Sequence, residues 1–204
     1  MARISAEKRR AQFIEAAVRV MSREGLDKAT TRRIAEEAGS PQGAFHYLFD
    51  GKNQLLTEVV GAITTQVEQV LRQSIDPTRG LAAAIDDGLR GFWAHAVSDD
   101  GLQLVQYELT IFARRTEGYE WLAEWQYGRY EQAAREVFGA AARAEGVDTD
   151  VDLDELARFI VAAVDGLIIQ WEVHHDAARS ERDLANVIRA ATLLAVPSAV
   201  LPSR

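Results

Sequence analysis

Thr31, Arg32, Gln42, His46 and Tyr47 lie close together in the chain and could together read and hold a nucleic acid duplex. A guanidinium pairs bidentately with guanine and a side-chain amide with adenine in the major groove. Hydroxyls, tyrosine and lysine hold phosphate, and Lys52 stands just beyond the cluster. Positioning these groups takes a particular pair of elements. The run Thr30 to Phe49 reads as two short helices, about 31–38 and 41–48, joined by a tight turn at Gly39. Glycine takes a positive φ at no steric cost, as such a corner requires. Ser40 is a good N-cap and Pro41 a good first helical residue, which would start the second helix at a defined place. Ile34, Ala35, Ala38, Phe45 and Phe49 would pack inward, leaving Gln42, Gly43, His46 and Tyr47 outside, with Thr31, Arg32 and Arg33 offered by the first helix. By spacing alone, this fits a DNA-reading pair and an ordinary αα-corner about equally.

Other chemistries find little support. The chain has no cysteine, which removes disulfides, thiolate metal sites and cysteine nucleophiles. Four histidines stand at 46, 95, 174 and 175 without the nucleophile elbow that a hydrolase triad would need. Glu172 and His175 form one Glu-x-x-His pair, whereas helical di-metal sites use two pairs and two more carboxylates. No phosphate-cradling glycine loop or dinucleotide fingerprint occurs. The expectation is no catalytic residue, no metal and no cofactor.

The surrounding pattern is helical throughout. At 204 residues with 48% hydrophobic and 26% charged, the chain can sustain a packed core. Ile14, Ala17, Val18 and Met21 set a helix over 6–24 that stops at Gly25. Leu56, Val59, Val60, Ile63, Val67 and Val70 stripe a helix over about 52–74, and Asp76-Pro77 caps a helix carrying Leu81, Ile85, Leu89 and Phe92. Ser98 to Gly101 is a turn, helices follow near 102–115 and 119–144, and Gly146 to Asp150 is a polar loop. From Leu153 to Trp171 apolar residues fall on nearly every face, so that helix must be covered on all sides, by a second molecule if it lies at the edge of a bundle. Ser180 with Asp183 resembles a capping box opening the last helix. The fold expected is all-α, about nine helices: an N-terminal helix-turn-helix three-helix domain and a C-terminal bundle that dimerises. Residues 1–51 form the first domain, extending through the linking helix 52–74, and residues 75–204 the second.

Charge divides the same way. Residues 1–55 hold ten Lys and Arg against seven Asp and Glu, and the remainder 13 against 24, for a net charge of −8. The asymmetry fits a polyanion partner and equally two differently solvated surfaces. No stretch reaches the length of an uninterrupted apolar span, and Arg3, Lys8, Arg9 and Arg10 lead into an amphipathic pattern. The expectation is a cytoplasmic protein with no membrane partner.

Residues 8 to 60 resemble the DNA-binding domain of the TetR (tetracycline-repressor-like) family of transcriptional regulators. The resemblance rests on Phe13-Ile14-Glu15-Ala16-Ala17, Gly25, Thr30-Thr31, Ile34-Ala35-Glu36-Glu37-Ala38-Gly39, Gly43, Phe49, Lys52 and Leu55. Beyond it, the helix count and Asp165-Gly166-Leu167 match. The resemblance implies a homodimeric repressor that binds a palindromic operator on double-stranded DNA and leaves it when a small molecule binds the C-terminal domain. It puts phosphate contacts on Thr31, Tyr47 and Lys52, and base-facing positions on Arg32, Gln42, Gly43 and Ala44, with His46 near the backbone or a base edge. With Ser40 at the start of the second helix, these make up the DNA-binding set. The sequence departs from the family pattern at Pro41, which loses a hydroxyl, at His46 in place of tyrosine, at Leu48 in place of histidine and at Gly51 in place of a polar cap.

All four tryptophans follow residue 90. Trp93, Tyr107, Phe112, Trp121, Trp125 and Trp171 are the candidates for a pocket taking an apolar or aromatic effector, and helical spacing fits ordinary core packing as well. Leu156, Ile160, Val164, Leu167, Ile168, Leu184, Val187, Ile188 and Ala191 are the candidates for a four-helix dimer interface. The competing reading is a helical small-molecule-binding or enzymatic bundle with no DNA function.

Overall fold

The computed structural model describes residues 5–98, 101–146 and 152–195. Arg3, Asp99–Asp100 of the expected turn and residues 147–150 of the expected loop lie outside them. Nine α-helices make up the described residues, with no strand: α1 Ala6–Glu24, α2 Thr31–Glu37, α3 Gln42–Leu48, α4 Lys52–Ser74, α5 Leu81–Ala96, α6 Leu102–Arg115, α7 Glu120–Glu145, α8 Leu153–His174 and α9 Ala177–Ala195. Single 3-10 turns sit at Leu26–Lys28 and Pro77–Arg79.

The helices fall into two compact units that do not follow chain order. One holds Met1–Gln66 with Asp99–Gln126, the other Val67–Ser98 with Tyr127–Arg204. α4 and α7 therefore contribute residues to both, and α6 joins the unit of the helix pair. In that first unit Phe13, Phe45 and Phe49 stack at 5.3–6.0 Å between centroids and are fully buried or nearly so. Val20, Ile34, Leu55, Leu56 and Val59 extend this core, and Leu102, Val105 and Leu109 of α6 complete it. α6 approaches α1 closely at Gly101, where a Cβ would stand 2.6 Å from the Ser22 carbonyl oxygen. In the second unit α9 packs on both α8 and α5. Leu81, Ile85, Leu89, Leu156, Ile168, Leu184 and Ala191 are buried there.

Three expected helix starts are corrected. Ser40 does not cap α3: Pro41 occupies the N-cap position with no side-chain bond, and the Ser40 hydroxyl turns back to the Ala38 carbonyl. Asp76 caps the 3-10 turn through the Thr78 N–H at 2.9 Å, and α5 opens only after Gly80. Its Leu81 N–H finds Glu145 at 2.9 Å instead. α9 starts at Ala177, because Asp176 accepts from the Arg179 N–H at 2.9 Å and places Ser180 one turn inside the helix. At α5 and α9 a carboxylate took the donor that Asp76 or Ser180 was expected to serve, whereas at α3 the Ser40 hydroxyl is itself spent as a donor to Ala38.

Candidate nucleic-acid interface

The α2–α3 corner closes through a pair of backbone bonds, Ser40 N–H to the Ala35 carbonyl at 3.0 Å and Gly39 N–H to the Glu36 carbonyl at 3.1 Å. This is the Schellman arrangement, and it needs Gly39 at φ 59°. α2 opens on Thr30, whose hydroxyl accepts from the Arg33 N–H. Phe45 and Leu48 anchor the inner face of α3, so Gln42, Gly43, His46 and Tyr47 share the outer one. Tyr47 is 83% exposed. Gln42 and His46 are one turn apart, as are Gly43 and Tyr47. Arg32 projects from α2 into solvent, bonded at 3.0 Å only to Glu36, one turn along its own helix. Thr31 is half-exposed. Thr31, Arg32, Gln42, His46 and Tyr47 thus offer polar side chains from two short helices, with Gly43 leaving the backbone open among them.

Four of the nine expected contacts, Thr31 among them, are half-buried rather than exposed. Ser40 is half-buried, and Ala44 leans on the core with part of its surface. Lys52 is half-buried, and its ammonium donates to the Leu26 carbonyl at 3.2 Å. Burial pushes its pKa down, and Asp27 nearby opposes that shift. Its charge is partly engaged within the protein.

Sequence reasoning missed the groups that hold this surface in place. Arg10 lies 4.7 Å over the Phe49 ring, donates to the Leu48 carbonyl at 2.7 Å and pairs with Glu58, tying the end of α3 to α4. Glu37 of α2 accepts from Arg23 at 2.6 Å and Arg19 at 3.0 Å, both on α1. The Arg23 bond first, then that from Arg19, draws the Glu37 pKa down to about 2. Arg33 turns to Glu24 at 2.8 Å and so faces away from the outer surface. The one-turn spacing of Arg19 and Arg23 was a signal in the sequence. The partners across helices were not.

Two family descriptions match this chain. "Bacterial regulatory proteins, tetR family" covers residues 13–59, and "BetI-type transcriptional repressor, C-terminal" covers residues 105–193. The HTH-type nicotine-responsive transcriptional repressor HdnoR of Paenarthrobacter nicotinovorans is 30% identical over 169 residues, 83% of this chain and 86% of that protein. The chain belongs to the TetR family. It is a DNA-binding transcriptional regulator of a family that is not enzymatic. The HTH-type transcriptional regulator BetI of Brucella anthropi is 27% identical, covering 68% of this chain and 79% of its own. In fold, a TetR transcription regulator from Haloarcula marismortui superposes with a TM-score of 0.75 at 20% identity, over 93% of this chain and 97% of the other. Multidrug binding protein EbrR, complexed with imidazole, gives 0.69 at 22%, over 94% and 97%.

In this TetR-family chain the six aromatic effector candidates fall into two groups. Trp93 and Trp171 meet edge to face at 6.1 Å in the second unit, and the His175 ring meets Trp171 at 5.4 Å. Tyr107 and Phe112 are half-buried on α6, and Trp121 and Trp125 are exposed on α7, all in the first unit. Phe112 packs on the core there. A polar series lies beside them, of which the sequence singled out only Gln106: Gln106 donates to Gln103 at 2.8 Å, and Thr110 to Gln126 at 3.3 Å. The Gln103 side-chain nitrogen is buried with no acceptor among the described residues. In the second unit the Tyr127 hydroxyl donates to Asp165 at 2.9 Å, and burial, with that carboxylate beside it, raises its pKa.

Among the nine interface candidates, Leu156, Ile160, Leu167, Ile168, Leu184, Ile188 and Ala191 are buried within the single chain, where α9 packs on α8 and α5. Val164 and Val187 are half-buried. The apolar residues that these helices leave outside are Ile169, Val173, Leu193 and Leu194. Periodicity identified the apolar helices but could not tell which stripe serves the neighbouring helix and which faces away. Among the described residues no three metal-binding side chains gather, and no helix is long and apolar enough to cross a membrane.

Proposed function

We propose that the chain is a repressor that binds a palindromic operator as a homodimer and is released by an apolar or aromatic small molecule. The observation that carries this reading is the outer surface of α2 and α3. Thr31, Arg32, Gln42, Gly43, His46 and Tyr47 stand accessible together over an aromatic core, in a chain of a DNA-binding family. Arg32 and Gln42 read base edges, and Thr31 and Tyr47 hold phosphate. Lys52 adds its remaining donors to the backbone contact. Ser40 and Ala44, half-buried, bring the start of α3 close to the groove. The functional division follows: residues 1–51 with the linking helix to 74 meet DNA, and residues 75–204 take effector and partner subunit.

The partner surface in this reading comprises Val164 and Val187 with the exposed Ile169, Val173, Leu193 and Leu194. Aliphatic side chains at 45–67% exposure on two adjoining helices favour a second copy over solvent. The Trp93–Trp171 pair, which stays together in space, is the first place to seek the effector, and the nicotine response in the name of the relative HdnoR points to the same class of molecule. The site of action is cytoplasmic.

The test is fluorescence anisotropy on duplexes that the chain selects from sheared genomic DNA, repeated over a salt series. Tight binding to a few palindromic duplexes, with affinity falling steeply as salt rises, is the expected result. Equal, weak binding to every duplex overturns the reading.

A further inference from the structure

We propose that Glu108 of α6 is a positioning residue for DNA binding, acting through Leu26 on Lys52. Leu26 opens the 3-10 turn that connects α1 to α2; its N–H goes to a distant side chain, and its carbonyl is shared between the Ala29 N–H of the turn, at 3.2 Å, and a distant ammonium. Its N–H donates to the Glu108 carboxylate at 2.8 Å, from 82 residues away. Its carbonyl accepts from the Lys52 ammonium at 3.2 Å. The Leu26 side chain packs on the core of the first unit.

The turn is therefore gripped on both sides of one residue. α6 can reach it because Gly101 allows close approach to the end of α1. Beyond the turn, Thr30 caps α2 and Thr31 and Arg32 follow, so the turn sets where those two side chains emerge. Lys52 is the first residue of α4 and lies shortly after the end of α3. Holding the Leu26 carbonyl fixed thus fixes the anchor of a cation at the edge of the reading surface. Glu108 touches no expected DNA contact. It governs where the contacts stand.

Charge and position make opposite forecasts here. A carboxylate in a unit that approaches a polyanion opposes binding by its charge, so if charge were its whole role, Glu108→Gln and Glu108→Ala would both tighten DNA binding. If Glu108 positions the turn, Glu108→Ala weakens binding, while Glu108→Gln, which keeps an acceptor oxygen, does not. The inference rests on the DNA-binding reading above. The experiment measures affinity for a duplex selected by the wild-type chain, across salt, for Glu108→Ala, Glu108→Asp, Glu108→Gln, Lys52→Met and the double variant Glu108→Ala/Lys52→Met. Expected are a loss of about three- to ten-fold for Glu108→Ala, a similar loss for the shorter Glu108→Asp, and a change within about twofold for Glu108→Gln. The salt slope of Glu108→Ala should fall from that of wild type toward that of Lys52→Met, since the displaced ammonium gives up its phosphate contact. The Lys52→Met effect should shrink in the Glu108→Ala background, because both act on one anchor. Unchanged or tighter binding by Glu108→Ala, or strictly additive effects of the two substitutions, overturns the proposal. A wild-type chain that selects no duplex would instead overturn the DNA-binding reading.

Discussion

α3 and α8 bury similar residues and expose opposite ones. α3, seven residues long, turns Phe45 and Leu48 inward and shows Gln42, Gly43, His46 and Tyr47. α8, 22 residues long, turns Leu156, Ile160, Leu167 and Ile168 inward and shows Ile169 and Val173 among its outer residues. The outer face of α3 is polar and that of α8 carries aliphatic side chains, so what the two helices leave outside suits different chemistry. Charge teaches the same lesson. The cationic excess of the first 55 residues goes largely into the protein itself: Arg10, Arg19, Arg23 and Arg33 each pair with Glu58, Glu37 or Glu24. Arg32 instead pairs with a carboxylate on its own exposed turn and stays at the surface.

The sharpest way to break the contrast is a charge placed on either side of α8. Leu167 is 8% exposed and Val173 67%. Leu167→Asp buries an unpaired carboxylate and should cost about 4 kcal/mol or more, unfolding the protomer. Val173→Asp should leave the unfolding free energy from urea titration within about 0.5 kcal/mol of wild type while light scattering reports monomers. A folded monomer from Leu167→Asp would return that residue to the subunit interface.

Next in size is the aromatic support of α3. Phe45→Ala should lose about 3–5 kcal/mol, read by chemical denaturation, because Phe13 and Phe49 cannot close over the cavity. The outer face of the same helix should behave differently. Gln42→Ala and Arg32→Ala should each cost about 1–3 kcal/mol of operator affinity and relax preference at one position per half-site, with stability unchanged. Arg33→Ala, which breaks the bond to Glu24, should instead lower stability and leave base preference alone. Loss of sequence preference in Arg33→Ala would show that the Glu24 bond opens on DNA.

Much of the first unit was legible because its signals are local. The apolar stripes set α1 at 6–24 and α4 at 52–74, and Gly39 marked the corner at the residue where φ turns positive. Caps proved less legible: at α5 the donor went to Glu145, 64 residues away, while Ser40 and Ser180 lost their places to local geometry at Ala38 and Asp176. The Glu108–Leu26 bond left no trace in the sequence, because nothing local ties a residue to one 82 positions away. The place of α6 in the first unit was hidden for the same reason. On α8, an apolar residue on every face carries no record of which neighbour covers it; α9 packs on α8, and Leu167 is buried within the single chain.

The smallest effect expected is also a comparison between units, made in acid. Glu37 holds its proton only below about 2 in the folded state, against an ordinary value of 4.5, owing to Arg23 and then Arg19. Its folded pKa is depressed, so the stabilisation it gives is complete above about 4.5 and drains away as pH falls toward about 2. Glu136 of the second unit is also held below its ordinary value, by Arg72 first and Gln132 second. Both pairs are near solvent, so salt should weaken them. Glu37→Gln should flatten the fall in urea midpoint between pH 5 and 2 at low salt, more than Glu136→Gln does, because two guanidiniums rather than one grip the carboxylate. Since Glu37 ties α2 to α1, operator affinity measured just above the unfolding range should fall with pH in wild type and less steeply in Glu37→Gln. Parallel acid limbs for wild type and Glu37→Gln would mean that the Phe13–Phe45–Phe49 packing alone sets where α2 presents Arg32.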